Sequence, residues 1–141
     1  MWTNTLLRQS LQKSMAVTTG HWQVASQPQE ADTEDTILIT FADQGDLNIH
    51  LTVSGEQILA SVLLWPVSLV RDPAGFNAAL LRDHKLLPLS TFGITPGLEG
   101  DWYELFGALS ASSTEQSVLT EIDTLGENAL EITEAYAEWL V

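Results

Sequence analysis

Histidines are the side chains in this sequence most suited to acid–base or metal chemistry near neutral pH. They are His21, His50 and His84, and imidazole can be a general acid, a general base or a metal ligand. No two of them have the spacing of metal ligands. His50 falls on the polar side of a strand-like run, and His84 falls near a predicted helix end, where a cation is favourable. We interpret all three as surface residues. The alternative is a small enzyme or small-ligand site built from one of them and carboxylates.

Two acidic segments, residues 30–35 and 43–46, suggest a site for a hard cation such as Ca²⁺, because several carboxylates stand close together. Neither has the ligand spacing or the closing glutamate of an EF-hand. The glycines form no phosphate-binding pattern, no serine lies in a nucleophile-elbow context, and the sequence contains no cysteine. We therefore predict that the protein is not an enzyme, and that it has no catalytic residue, metal site or cofactor.

The charge balance excludes other classes of partner. Five basic residues stand against nineteen acidic residues, which gives a formal charge of −14. Such a field repels nucleic acids and anionic lipids. The most apolar uncharged stretch, residues 57–70, is too short to span a bilayer, and the N-terminus does not have the pattern of a secretory signal. We predict a cytoplasmic protein that neither binds nucleic acid nor inserts into membranes.

The first part of the chain predicts a helix followed by strands. Leu7, Leu11 and Met15 recur every four residues, which indicates an amphipathic helix over residues 3–17. The segments that follow are strands at 21–26, 36–42, 46–54 and 57–65, with a polar, acidic and mobile loop at 27–35. The strand at 46–54 alternates apolar and polar residues, so one of its faces must be buried. That face is Leu47, Ile49, Leu51 and Val53.

The second part predicts a helix, a hairpin and a long helix. Asp72 followed by Pro73 is a typical helix start, because aspartate caps free amide groups and proline needs no amide hydrogen there. This helix ends before residue 88, and strands follow at 87–94 and 102–109. A capping box, Ser112 with Glu115 or Ser113 with Gln116, starts a helix that reaches the C-terminus. Its buried face is Val118, Ile122, Leu125, Ala129, Ile132, Tyr136 and Trp139.

This order of elements predicts the α+β class. We expect an antiparallel sheet of about five to six strands, with the N-terminal, middle and long C-terminal helices packed on it. The length suits one domain over residues 1–141.

Two groups of residues are candidates for binding a partner. Four glutamates share one side of the last helix and face away from its apolar side; they are Glu127, Glu131, Glu134 and Glu138. Trp2 and Trp139, near opposite termini, are the tryptophans most suited to partial exposure. These four glutamates either serve solubility alone or form a docking surface for a basic partner.

Three stretches of the second half resemble the bacterial YjfI-like family of unknown function. They are LPLSTFG at 87–93, WYELFGALS at 102–110 and EIDTLGENALE at 121–131. The first half resembles the family only in the order of its elements. The resemblance implies no catalytic residue. It implies a link to a phage-shock-type envelope stress protein of the coiled-coil class, because family members tend to be encoded near such proteins.

The order of helices and strands also resembles the fold of type III secretion chaperones, which are small acidic cytoplasmic proteins that commonly dimerise and hold extended partner segments. This similarity implies a non-enzymatic, chaperone-like module that binds a protein partner, and a homodimer.

Overall fold

The computed structural model describes residues 1–27 and 36–141. Its helices are α1 (Asn4–Gln12), α2 (Met15–Thr18), α3 (Pro73–Asp83) and α4 (Glu115–Ala135). Its strands are β1 (Trp22–Gln27), β2 (Thr36–Phe41), β3 (Leu47–Ser54), β4 (Gln57–Pro66), β5 (Thr91–Gly97) and β6 (Gly100–Ser110). Short 3₁₀ helices cover Val67–Leu69, His84–Leu86 and Ala137–Trp139. The predicted acidic loop falls largely on residues 28–35, outside the described part of the chain.

The strands form one six-stranded antiparallel sheet in the order β1-β2-β3-β4-β6-β5. The first four strands follow one another in space as they do in sequence, and the last two form the predicted hairpin. The α+β class, with N-terminal, middle and long C-terminal helices, is therefore confirmed.

Backbone contacts divide the chain into two compact units. The first comprises residues 1–60 and 108–122, and the second comprises residues 61–107 and 123–141. The prediction of a single domain stays a prediction.

The buried face predicted for β3 lies in the core of the first unit at Ile49 and Leu51, whereas Leu47 and Val53 are half-buried. Ile39 of β2 lies opposite Ile49 of β3, and Ile37 lies opposite Leu51. All four side chains are buried, because they share the inward face of the pleat. His50, between Ile49 and Leu51, lies opposite Leu38 on the other face.

The prediction of one N-terminal helix over residues 3–17 is wrong in its second half. Leu7 and Leu11 are fully buried as expected, but the helix ends at Gln12 and a separate turn of helix begins at Met15. The break occurs at Ser14, whose hydroxyl donates a 2.6 Å hydrogen bond to the Leu11 carbonyl. Met15 is consequently exposed, although the four-residue spacing places it on the buried side.

Phe76 of α3 is the centre of the second unit. Its ring lies 5.0 Å from Tyr103, 5.5 Å from both Tyr136 and Trp139, and 6.0 Å from Trp65, measured between ring centroids. Edge-to-face and tilted geometries at these distances are the favoured arrangements of aromatic pairs. The cluster therefore joins β4, α3, β6 and the chain after α4.

The start of α3 is as predicted, and the strand after it is not. The Asp72 carboxylate accepts a 3.2 Å hydrogen bond from the Gly75 amide, with Pro73 in the first turn. The strand predicted at 87–94 begins only at Thr91, because residues 84–90 form a 3₁₀ turn and a loop. It then continues to Gly97, which lies opposite Gly100 in a tight hairpin.

The long helix α4 buries its predicted apolar side from Val118 to Ile132. Two details of the prediction are wrong. The capping residue is Thr114, whose hydroxyl accepts from the Ser117 amide at 3.1 Å, and the helix ends at Ala135 before the C-terminus. The last residues instead run beside the chain after β4, where Val70 and Leu140 form an antiparallel bridge.

We expect Ile49→Ala to lower the free energy of unfolding by about 2–5 kcal/mol, because it leaves a cavity in the core of the first unit. His50→Ala, on the other face of the same strand, should have a much smaller effect. Urea denaturation of both variants measures the difference. Equal midpoints for the Ile49 variant and the parent would contradict the register of β3.

Glu121 is buried on α4, and burial raises the pKa of its carboxyl because the charged form loses hydration. A carboxyl with a raised native pKa favours folding at low pH, and this contribution is lost as the pH rises above the ordinary value of 4.5. Glu121→Gln should therefore be more stable than the parent at neutral pH, by a margin that shrinks towards that value. Denaturation across this pH range, with exposed Glu115→Gln as the control, measures it. A margin independent of pH would contradict this account.

Candidate functional site

The structure places each predicted histidine in a different local setting. His21 Nδ1 lies 2.7 Å from the Asp43 carboxylate, and the ring packs against Trp22 and Phe41. Burial lowers the pKa of His50, which favours its neutral form. His84 Nε2 lies 3.3 Å from the Ser90 carbonyl oxygen. Among residues 1–27 and 36–141, no three histidine or carboxylate side chains come together in a way that would hold a metal ion.

The four glutamates of the predicted acidic face are all exposed. Three belong to α4, and the fourth, Glu138, belongs to the 3₁₀ turn that follows it. We call Glu127, Glu131, Glu134 and Glu138 the acidic face. The sequence from residue 86 to residue 141, which contains the acidic face, has no lysine or arginine.

Both tryptophan candidates are partly exposed and firmly held. The Trp2 indole nitrogen donates a 2.8 Å hydrogen bond to the Ser113 carbonyl, and Trp139 packs against Phe76. Trp102, on β6, is also half-buried, which the sequence does not predict. A role in binding for Trp2 and Trp139 stays a prediction.

A loop rich in leucine, residues 84–90, is the feature that sequence reasoning misses. We call it the leucine loop. Leu86 is 77% exposed and Leu89 is 60% exposed, and Leu81 on the preceding helix is 74% exposed. The signal is present in the sequence, because leucines stand at positions 86, 87 and 89 around Pro88, and another stands at position 81. Periodicity assigns these residues to a helix end and a strand, where leucine is ordinarily buried.

The buried side chain of Asn128 holds the leucine loop in place. Its amide nitrogen donates to the Pro88 carbonyl at 2.8 Å and to the Ser90 hydroxyl at 2.9 Å. Leu89, between these two anchors, has a φ of +65°. A bulky residue rarely adopts this left-handed conformation, which costs about 1–3 kcal/mol and persists only where surrounding contacts enforce it. Polar contacts on both sides of Leu89 therefore hold the loop in one conformation.

Two cavities beside the leucine loop share Phe92 in their walls. The first has a volume of about 340 Å³ and is lined by Asp83, Leu86, Leu87, Phe92, Glu131, Ile132, Ala135 and Tyr136. The second has a volume of about 310 Å³ and is lined by Asn77, Leu80, Leu81, Phe92, Gly93, Ile94 and Tyr103. We call the two together the cleft. Its walls are mostly apolar, and the first cavity adds two carboxylates.

A hydrogen bond fixes one of these carboxylates. The Tyr136 hydroxyl donates to Asp83 at 2.8 Å. Burial, followed by this hydrogen bond and the charge of Asp83, raises the pKa of Tyr136 to about 12. The phenol therefore stays protonated at neutral pH and acts as a donor. The wall of the first cavity therefore presents a neutral phenol beside the carboxylates of Asp83 and Glu131.

Comparison with known proteins identifies the family. Residues 1–140 match the family described as an uncharacterized protein conserved in bacteria (DUF2170). The chain is also 36% identical over 108 residues to the uncharacterized protein YjfI of Escherichia coli strain K12, covering 77% of this chain and 81% of the relative. YjfI of Escherichia coli O157:H7 matches equally. The chain belongs to the DUF2170 family. The predicted resemblance to YjfI-like proteins is thus confirmed, and the DUF2170 match extends through the first half of the chain.

No helix that the structure describes in this DUF2170 member, over residues 1–27 and 36–141, is long and apolar enough to cross a membrane.

The sequence has two tyrosines, Tyr103 and Tyr136, and burial raises the pKa of both. Phenolate absorbance of the native protein should therefore increase only above the ordinary value of 10.0. The unfolded chain loses its phenolic protons first, so stability should fall as the pH rises through this range. A titration in denaturant is the reference, and Tyr136→Phe isolates Tyr103. A native transition centred at the ordinary value would contradict the burial of these groups.

Proposed function

We propose that the protein is a non-enzymatic, protein-binding module, and that a basic segment of its partner docks on the acidic face. The observation that carries this proposal is the exposure of four glutamates within twelve residues of sequence, three of them on α4 and one in the turn after it. The cleft opens beside them, because Glu131 belongs both to the acidic face and to the wall of the first cavity.

Folding alone does not account for the acidic face. Glutamates three or four residues apart disfavour a helix by about 0.2–0.5 kcal/mol per pair. Negative charges near a helix C-terminus also oppose the helix dipole. Docking of a basic partner would offset this cost and would speed association at low ionic strength. Solubility is the competing explanation, and it would not depend on where the charges lie.

The proposed partner is a protein with a basic surface, and a coiled-coil protein of the phage-shock type fits this chemistry because its helices can present lysine and arginine in rows. We propose that the module acts in the cytoplasm, in the manner of a chaperone that holds a partner segment, and that it forms a homodimer. The exposed apolar side chains around the cleft support a binding role more than a catalytic one.

A second candidate function is a small-ligand or acid–base site at His21. It is favoured by the 2.7 Å contact between His21 and Asp43, a pair that occurs in catalytic centres. We rank it second because Asp43 is exposed in a turn and neither side chain lines a cavity described above.

Replacing the whole acidic face tests the proposed function. The variant carries Glu127→Gln, Glu131→Gln, Glu134→Gln and Glu138→Gln. It should lose proteins that co-purify with the parent from the native cell, and parent complexes should weaken as salt rises, because surface charges are screened within about 8–10 Å at physiological ionic strength. Helix stability should rise slightly, since like charges are removed.

A control variant separates the position of the charges from their number. It removes four exposed carboxylates elsewhere, through Asp46→Asn, Glu56→Gln, Glu99→Gln and Asp101→Asn. Its net charge equals that of the acidic-face variant, yet it should retain the partners. If both variants recover the same proteins with the same dependence on salt as the parent, the acidic face serves solubility only.

A further inference from the structure

The leucine loop and the cleft form an exposed apolar surface next to the acidic face. Exposed leucines are tolerated singly, but contiguous apolar patches on a soluble chain mark interaction sites. Here three of them, Leu81, Leu86 and Leu89, are each at least 60% exposed within nine residues of sequence. Two of the three line the cleft, Leu81 in one cavity and Leu86 in the other.

The surface is also preorganised. Asn128 is buried and donates two hydrogen bonds to the loop. His84 adds a contact to the Ser90 carbonyl and packs at a tilt against Phe92, with ring centroids 5.7 Å apart. A loop fixed before binding loses little conformational entropy when a partner arrives. Leu86 and Leu89 are therefore held in one position. The left-handed backbone at Leu89 is part of this conformation.

Charge selects the occupant of the cleft. Asp83 and Glu131 both line the first cavity, and no lysine or arginine is among its described lining residues. Arg82 and Lys85 lie within two residues of Asp83 in sequence and are both exposed, so they reduce the local negative charge without being among the described lining residues of the cavity. The carboxylates of the acidic face and of the first cavity would repel the same face of a second copy of this chain, and an anionic lipid surface would be repelled in the same way. A segment with basic and apolar side chains is complementary to the cleft in charge and in apolar surface.

We propose that the cleft binds an amphipathic segment of a partner protein. The aliphatic side chains of this segment cover Leu86 and Phe92, and one of its lysine or arginine side chains pairs with Glu131 and Asp83. This inference rests on the proposed function, and it adds that apolar contacts in the cleft provide binding energy that the acidic face alone does not.

A designed peptide tests the inference while the natural partner is unidentified. The probe is a fluorescent amphipathic peptide of leucine and lysine, with leucines at helical spacing. One control peptide replaces leucine with glutamine and keeps the lysines. A second replaces lysine with glutamate and keeps the leucines. Binding to the full-length protein is followed by fluorescence anisotropy at low and high salt. The leucine and lysine probe should bind, and each control peptide should bind about tenfold more weakly or worse.

Matched variants locate the binding site on the protein. Leu86→Ser should weaken binding of the probe by about tenfold, because a buried leucine contact is lost. Leu98→Ser removes a leucine that is also exposed, at the hairpin tip, and should have no effect. Glu131→Gln should weaken binding by about threefold to fivefold, whereas Glu115→Gln on the same helix should not. Asn128→Ala should also weaken binding, although Leu86 itself is unchanged. The reason is that the leucine loop loses both hydrogen bonds that hold its conformation.

The outcomes separate this inference from the proposed function. If the acidic-face variant loses the probe but Leu86→Ser binds it as the parent does, the inference is wrong and the proposed function stands. If neither variant changes binding of the probe, the inference is wrong, and the proposed function is decided by the co-purification of the acidic-face variant. Equal binding of the probe and the glutamine control overturns the inference, and so does the absence of binding below about 100 μM. A dimer of the parent in light scattering that Leu86→Ser dissociates would assign the cleft to a second copy and would also overturn it.

Discussion

The aromatic cluster around Phe76 is the interaction on which the second unit depends. Its four ring neighbours come from β4, from β6 and from the chain after α4. Beside it, the Tyr103 hydroxyl donates to Asn77 and the Tyr136 hydroxyl donates to Asp83, so both phenols tie their part of the chain to α3. Because each aromatic pair is worth only about 0.5–1.5 kcal/mol beyond its buried area, no single ring holds the unit. The position of α3 follows from all of them together.

That fixed position of α3 explains why the leucine loop is exposed. The helix directs Phe76 and Leu80 into the core, so Leu81, one residue further along, must point away from it. The chain then has to return from Asp83 to the start of β5 at Thr91. Asn128 binds the returning segment at the Pro88 carbonyl and the Ser90 hydroxyl, and Leu86 and Leu89 of this segment lie outside the core. Exposure of the leucines is thus a consequence of the fold rather than a defect of local packing.

Most of the fold could be predicted from periodicity, and the candidate site largely could not. The alternation in β3, the proline after Asp72 and the apolar side of α4 depend on neighbours along the chain, so their spacing is informative. The exposure of Glu127, Glu131, Glu134 and Glu138 follows from the same pattern. The break at Ser14, the late start of β5 and the cap at Thr114 depend on individual hydrogen bonds, which spacing does not reveal. The cleft brings Asp83 together with Glu131, 48 positions apart by their numbers, and only the tertiary structure shows that they meet.

The negative charge and the exposed leucines are easier to understand together than separately. A neutral chain with this apolar surface would tend to self-associate, because two such patches could cover each other. The carboxylates beside the patch oppose contact between two copies through this surface. The same charge attracts a basic partner, and its effect is strongest at low ionic strength. The same charges therefore disfavour a second copy in the cleft and favour a basic partner. This difference in affinity provides a specificity that the apolar patch alone does not have. In the proposed complex the acidic face selects the partner during association, and apolar contacts with the leucine loop slow its dissociation.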